Sequence, residues 1–400
     1  MSDDVTILKR INSHRKLIVC LLAVFLVACS YYCISLHGVD FYTYLMASNG
    51  FHQNTRPYLS LMFANPYYYP PLTAQLIYPL IFLPKQIAYG IWIWCSILAI
   101  ILSVYCLVPR KYFLLGLLIA FGFLPVEVTL YAGQVCSLLL LALSFAYYAI
   151  SRNQSMAAGF GLAAGIMLKI IPLVHLAYFI WRGKLTAAFA TLLGLLLFFA
   201  ISLPFAGGWQ GWLDFFHVAA YYGHPTSLHA HGFNQTLSVG FNQALSGFFA
   251  RLIPSDLLSI KLSQISAAIL TLATIAVCWP PGRSQSLDLE FGLITITVNL
   301  IMPYTWYYQY IILLIPIFII IRRAEQEQFF RQLLWPLFIG YVITDLHGLF
   351  WHHLNNAFLS SSPLFFALLL WFSLSYQIIM QRKRSRQGQE SSYAQGVISS

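Results

Sequence analysis

The chain has 400 residues, 59% of them hydrophobic and only 8% charged, with a formal net charge of +10. Soluble domains carry about 25% charged residues, so a water-facing surface of ordinary size cannot be built from this composition. The basic residues sit in short clusters between apolar runs, which membrane topology by itself requires; a nucleic-acid partner is not expected.

Apolar runs at residues 17–36, 86–108, 185–206, 304–321 and 362–380 each approach or exceed the roughly 18 to 20 residues that cross a bilayer as helix. Spanning strands would alternate with period 2, and no such alternation is present. The expectation is an all-α, polytopic membrane protein. The first run lacks a small-x-small cleavage site and reads as a retained span. Lys9, Arg10, Arg15 and Lys16 precede it, and Arg382, Lys383, Arg384 and Arg386 follow the last run. An excess of Lys and Arg marks the cytoplasmic side, so both termini are expected inside. Arg110/Lys111, Arg152, Arg182/Lys184, Arg283 and Arg322/Arg323 mark further inner loops, which leaves 37–85 and 207–256 facing outward.

The outward loop after the first run reads HGVDFYTYLMASNG and carries Asp40, one of 12 acidic residues in the chain. A lone loop acid is commonly a turn former or helix cap. Here it is followed by NPYYYPPLTAQLIYPLIFLP, residues 65–84. Its prolines hold the backbone out of regular helix, and its tyrosines suit a membrane–water interface. That stretch is either an interfacial collar or a rigid aromatic wall beside the carboxylate, able to hold a sugar. Glu127 is a second acid near a helix start. Gln134, in YAGQVCSLLLL, opens an apolar helix where free N–H groups suit hydroxyls or an anion.

Between Arg152 and Arg182 lie only about 30 residues, too few for two full spans at 1.5 Å rise per residue. Half-length helices that meet at MLKIIP solve this, because broken backbone at membrane depth is tolerated where it lines a cavity. Lys169 would then stand at the tip, facing the cavity, although a snorkelling lysine is the plainer alternative. A similar break falls at MPYTW, residues 302–306. The expected architecture is about 12 transmembrane or half-length helices around one outward-facing cavity. Residues 1–386 would form a single integral membrane domain, with 387–400 a disordered cytoplasmic tail. The loop 207–256 contributes His217, His224, His229, His231, Asn234 and Gln235. HxH there has no acidic partner nearby in sequence, and the seven cysteines lack metal spacing; neither a metal nor a cofactor is expected.

Taken in order, DFYTYLMAS, YYPPLTAQLIYPLIFLP, GQVCSLLLLALSFAYYAI, AAGFGLAAGIMLKIIPLV, HGFNQTLSVGF and MPYTWYYQYIILLIP resemble the polytopic glycosyltransferases of the C-type superfamily. Within it they are most similar to glycosyltransferase family 87, the polyprenol-phosphate-mannose-dependent α-mannosyltransferases of bacteria. The resemblance implies a GT-C type fold in the inner (plasma) membrane, with its active site on the extracytoplasmic side. It implies a polyprenyl-phosphate sugar donor, a glycolipid or glycan acceptor and surrounding membrane lipids as partners. Asp40 matches the family's general base, and Lys169, Gln134, Tyr308 and Gln309 become candidates for the donor phosphate. Tyr69, Asn234, Gln235 and Trp306 are candidates for the acceptor or sugar. Where the family carries a His-His pair after a Pro-x-Ser-Trp motif, this chain has Tyr308 and Gln309, so a fixed cation there must come from elsewhere. Transfer of another sugar, lipid or solute transport, and a catalytically silent scaffold stand as alternatives.

Overall fold

A computed structural model describes residues 15–36, 38–60, 67–223, 242–279, 286–350 and 356–398. Among these the chain is helical throughout, without a strand. Apart from short turns the helices are α1 (Arg15–Leu36), α2 (Val39–His52), α3 (Pro71–Ile77), α4 (Lys85–Leu107), α5 (Phe113–Gly122) and α6 (Leu124–Ala132). They continue as α7 (Cys136–Ser151), α8 (Ser155–Leu168), α9 (Leu173–Trp181), α10 (Leu185–Ser202), α11 (Trp209–Gly223) and α12 (Leu245–Leu252). The last are α13 (Asp256–Cys278), α14 (Leu287–Ile301), α15 (Leu314–Ala324), α16 (Gln328–Phe350) and α17 (Ser362–Ile398). The last helix continues through 387–398, the stretch whose composition suggests a tail.

Six helical segments are long and apolar enough to cross a bilayer, and a seventh forms if the bent pair Arg110–Gly122 and Leu124–Ala132 counts as one span. Other apolar helices are shorter: Pro71–Phe82, Cys136–Ser151 and Ser155–Leu168. On α13, Ile265, Ile269 and Leu272 are exposed, a stripe that water would penalise and lipid would accept. The short helices α7 and α8, and the first half of Pro71–Phe82, are instead largely buried by their neighbours. Gly159 on α8 lies against α10 so closely that an added Cβ would stand 2.4 Å from the Ala187 carbonyl oxygen and 2.5 Å from the Ala190 Cβ. Small residues that let two backbones meet are the usual glue between membrane helices.

The breaks fall at the two stretches marked in the sequence. α8 ends at Leu168 and α9 starts at Leu173, with Lys169 in extended backbone and Pro172 ahead of the new helix. α14 ends at Ile301, and a tight 3-10 segment, Tyr307–Leu313, leads into α15. Other residues tie both breaks down. Thr73 Oγ1 on α3 donates to the Leu168 carbonyl at 3.1 Å, one of the orphan carbonyls at a helix end. Asn242 Nδ2 donates to the Pro303 carbonyl at 2.9 Å and its Oδ1 accepts from the Thr305 N–H at 3.0 Å.

Several of the basic residues that punctuate the sequence, Arg182, Arg322, Arg323 and Arg382, converge on two buried acids. Glu290, fully buried, takes Arg182 Nε at 3.0 Å and Arg382 Nη2 at 3.0 Å. It also accepts from the Tyr178 hydroxyl at 2.9 Å. Asp288 pairs with Arg322 and Arg323, and Glu325 with Lys111. The ends of α9, α14 and α15 are locked there to the middle of α17.

Candidate functional site

Asp40 occupies the first turn of α2, outside the long apolar spans, where the helix dipole favours a carboxylate. The next turn of the same face carries Tyr44, fully buried. What stands against α2 is the turn between α6 and α7. That turn depends on Gly133, which has φ +69, and an added Cβ there would lie 2.6 Å from the Phe41 Cβ. Only glycine takes this conformation cheaply and lets the chains approach so closely. The Trp92 indole donates to the Gly133 carbonyl at 2.8 Å and holds the turn in place. Directly after it comes Gln134, which is thereby pressed against α2.

Gln134 is fully buried. Its Oε1 accepts from the Tyr44 hydroxyl at 2.9 Å and from the Tyr69 hydroxyl at 3.0 Å. With the acceptor side occupied, the orientation of the amide is fixed. Its Nε2 side favours the charged form of Asp40, although the nitrogen completes no hydrogen bond of its own. A buried amide N–H left open in this way calls for an acceptor.

Lys169, also buried, brings its ammonium to the same place from the α8–α9 break. Its Nζ is 3.9 Å from Cys136 Sγ and sits 5.5 Å from the Tyr69 ring centre and 5.6 Å from that of Tyr308. Two aromatic faces compensate part of the lost hydration of the cation. Tyr68 stacks on Tyr69 with centres 5.1 Å apart, and Trp306 lies parallel to Tyr308 at 6.3 Å. The Tyr308 carbonyl accepts from Thr129 Oγ1 at 3.1 Å, which pins the second break to α6.

The electrostatics of Asp40 follow from this setting. Burial pushes its carboxyl up to about 6, while the Gln134 amide and the Lys169 charge pull in the opposite direction. Desolvation outweighs the neighbouring cation. The result is a partly buried carboxyl raised to about 6, with the Lys169 amine and several hydroxyls beside it. Such a group can accept a proton, and the cation can hold an anion.

The structure therefore gathers Asp40, Gln134, Lys169, Tyr69 and Tyr308, with Trp306 behind Tyr308. Gln309 follows in the 3-10 segment and is buried with its Oε1 unpartnered. Glu127 stands elsewhere, near Cys33 and Asp345, and His217 lies close to Asp214 on α11. Asn234, Gln235 and the HxH stretch lie outside the described residues. Sequence reasoning overlooked Tyr44, Cys136 and Asn242. Tyr44 is four residues after Asp40, the spacing that puts two side chains on one helix face.

The family model of glycosyltransferase family 87 matches residues 67–303, more than half of the chain. The protein belongs to glycosyltransferase family 87. Among curated proteins none matches the chain. The matched region of this family 87 protein contains Tyr69, Gln134 and Lys169. Asp40 precedes it, and Trp306, Tyr308 and Gln309 follow it. Family 87 membership makes the chain a membrane glycosyltransferase, which takes a sugar from a donor to an acceptor.

Proposed function

We propose that this enzyme transfers a sugar, mannose by its resemblance, from a polyprenyl phosphate to a glycolipid or glycan acceptor, with inversion at the anomeric carbon. Asp40 acts as the general base. It takes the proton of the acceptor hydroxyl as that oxygen forms a bond to the anomeric carbon. The bond between that carbon and the phosphate oxygen breaks on the opposite face, and the electron pair leaves with the phosphate. Lys169 meets the charge that gathers there, and the free Gln134 N–H and the Tyr308 hydroxyl add neutral donors. A fixed cation placed where charge develops lowers the barrier more than it aids ground-state binding.

One observation carries this reading: a carboxyl of raised pKa and a buried ammonium flank a single amide, Gln134, inside a cage of tyrosines. An ammonium at that depth is expensive unless an anion visits it. The wider architecture of the proposal follows the sequence reading. Residues 1–386 form one GT-C unit of about 12 full and half-length helices in the bacterial plasma membrane. Both termini are cytoplasmic, and the cavity opens outward. Gln309 joins Lys169, Gln134 and Tyr308 on the donor phosphate, and Tyr69 and Trp306 serve the sugar and acceptor, a role also assigned to Asn234 and Gln235, which lie outside the described residues.

The test is chemical. Purified enzyme in lipid nanodiscs is given polyprenyl-phosphate mannose, glucose or arabinofuranose with the lipid-linked glycans of a strain lacking the protein. Release of polyprenyl phosphate with mass gain of one glycan supports the proposal. Failure of every polyprenyl-phosphate sugar, where a nucleotide sugar succeeds, overturns it.

A further inference from the structure

Of the six candidate spans, α13 is the least buried by its neighbours. It also carries polar groups on its outer face. More than three residues from either end, the spans among the described residues expose no Asn, Gln, Asp, Glu, Lys or Arg except Lys261 and Gln264, both on α13. The span runs Asp256–Cys278, so Gln264 lies roughly 12 Å from its start at 1.5 Å per residue. A hydrocarbon core is about 30 Å thick. The carboxamide therefore stands well below the headgroups, too deep for its short stem to reach them.

Hydroxyls on the same helix find partners close by. Ser263 Oγ donates to the Ser259 carbonyl at 2.7 Å, and Thr271 Oγ1 to the Ala267 carbonyl at 2.7 Å. Thr274 Oγ1 meets Thr297 Oγ1 at 2.9 Å and accepts from the Trp371 indole at 3.0 Å, which fixes the rotation of α13 against α14 and α17. The exposed Gln264 amide makes no hydrogen bond to any described residue. Facing hydrocarbon, such an amide is costly until a partner arrives.

The surrounding face has the form of a helix seam. Leu257, Lys261, Gln264 and Ala268 recur at spacings of four, three and four residues, all exposed, and Ile275 follows seven later. Alternation of this kind lines the contact of one helix along another. Ala268, one turn from the amide, lets two backbones come close. Lys261 sits nearer the end of the span, where its stem carries the ammonium to the headgroups. Two such lysines are thereby kept in water.

An acyl chain offers the amide neither donor nor acceptor. A second copy of the chain offers both, because a carboxamide carries N–H donors and a carbonyl acceptor. An identical chain inserted the same way also brings its own Gln264 to the same depth. We propose that the enzyme is a dimer in the bilayer, with α13 of one protomer packed on α13 of its partner about a twofold axis along the membrane normal. Each Gln264 N–H donates to the carbonyl of the other, the reciprocal exchange that a twofold interface requires. Leu257, Ala268 and Ile275 pack beside the pair.

The test counts subunits of the full, fluorescently labelled chain in liposomes by single-molecule photobleaching as the protein is diluted into lipid. Two-step bleaching should dominate at high density and give way to single steps on dilution. Gln264→Leu places an apolar side chain on a lipid-facing surface, so the variant should fold, and its dimer should dissociate about 5- to 30-fold more readily. A second measurement keeps Gln264 intact. A benzoylphenylalanine in place of Ala268, irradiated in native membranes, should yield a product of twice the chain mass joined α13 to α13, whereas the same group in place of Ile91 on α4 should capture lipid. Single-step bleaching at every density overturns the inference, as does a dimer equally tight in Gln264→Leu. Crosslinks from position 268 that reach only lipid, or only a different protein, also overturn it.

Discussion

Replacing Asp40 with Asn should make the enzyme more stable and nearly inactive. The carboxyl is carried from its ordinary 3.8 to about 6, after the attraction of Lys169 has been counted. At 1.36 kcal/mol per tenfold in acidity, the charged form costs the fold about 3 kcal/mol. A carboxyl whose folded pKa is raised takes up protons on folding, so its penalty is absent below the unfolded value and complete above about 6. Thermal unfolding of both proteins in nanodiscs should therefore coincide near pH 3.8 and diverge as the pH rises to about 6. Above that the Asn variant should be more stable, by up to about 3 kcal/mol. Loss of one general base should cost about 10²- to 10⁴-fold in kcat. The kcat/KM profile of the unaltered enzyme should rise with pH through a limb near 6, and the Asn variant should lack it. Transfer retained within about tenfold would refute the role of base. A variant no more stable at neutral pH would refute the claim that burial dominates the carboxyl.

Lys169→Met should weaken use of the lipid-phosphate donor, and it should shift the Asp40 limb upward because a charge that lowers that pKa is gone; an unmoved limb separates the two residues. Gly133→Ala must hold alanine at φ +69 with its Cβ 2.6 Å from Phe41, so stability should fall by about 1–3 kcal/mol. Its kcat should fall too as Gln134 moves, and unaltered kinetics would break the link between this turn and the site. Glu290→Gln leaves Arg182 and Arg382 facing a neutral amide. A cost of about 3–5 kcal/mol is expected, with kcat of the folded fraction unchanged, and a melting point within a degree of the parent would count against the network.

How much of the fold was legible follows from its physics. Long apolar runs announce themselves, so the span at Lys85–Leu107 is read to within one residue and that at Leu185–Ser202 to within four. The break at Lys169 was legible for a different reason, since two basic markers stood too close together for full spans. The convergence of Arg182, Arg322 and Arg382 on Asp288 and Glu290 was not. The sequence separates these charges by up to two hundred positions, and only the packing of α9, α14, α15 and α17 brings them together. Asn242, which clasps the break at Pro303 and Thr305, looks like any polar loop residue until the backbone it serves is seen.

The candidate site divides along the same line. Asp40 and Lys169 stood out because ionisable groups are rare here and expensive in lipid. The residue between them is harder to read, because an amide at a helix start is common. Gln134 gains its meaning from two tyrosine hydroxyls that arrive from separate segments and occupy its oxygen. That forces the nitrogen side toward Asp40, so the acid and the amine interact across an oriented amide rather than closing a direct salt bridge. A closed bridge would have held the carboxylate far below neutrality and satisfied the ammonium, leaving neither free for a substrate. Keeping the two charges apart on either side of Gln134 preserves a base that titrates near 6 and a cation still available to an anion.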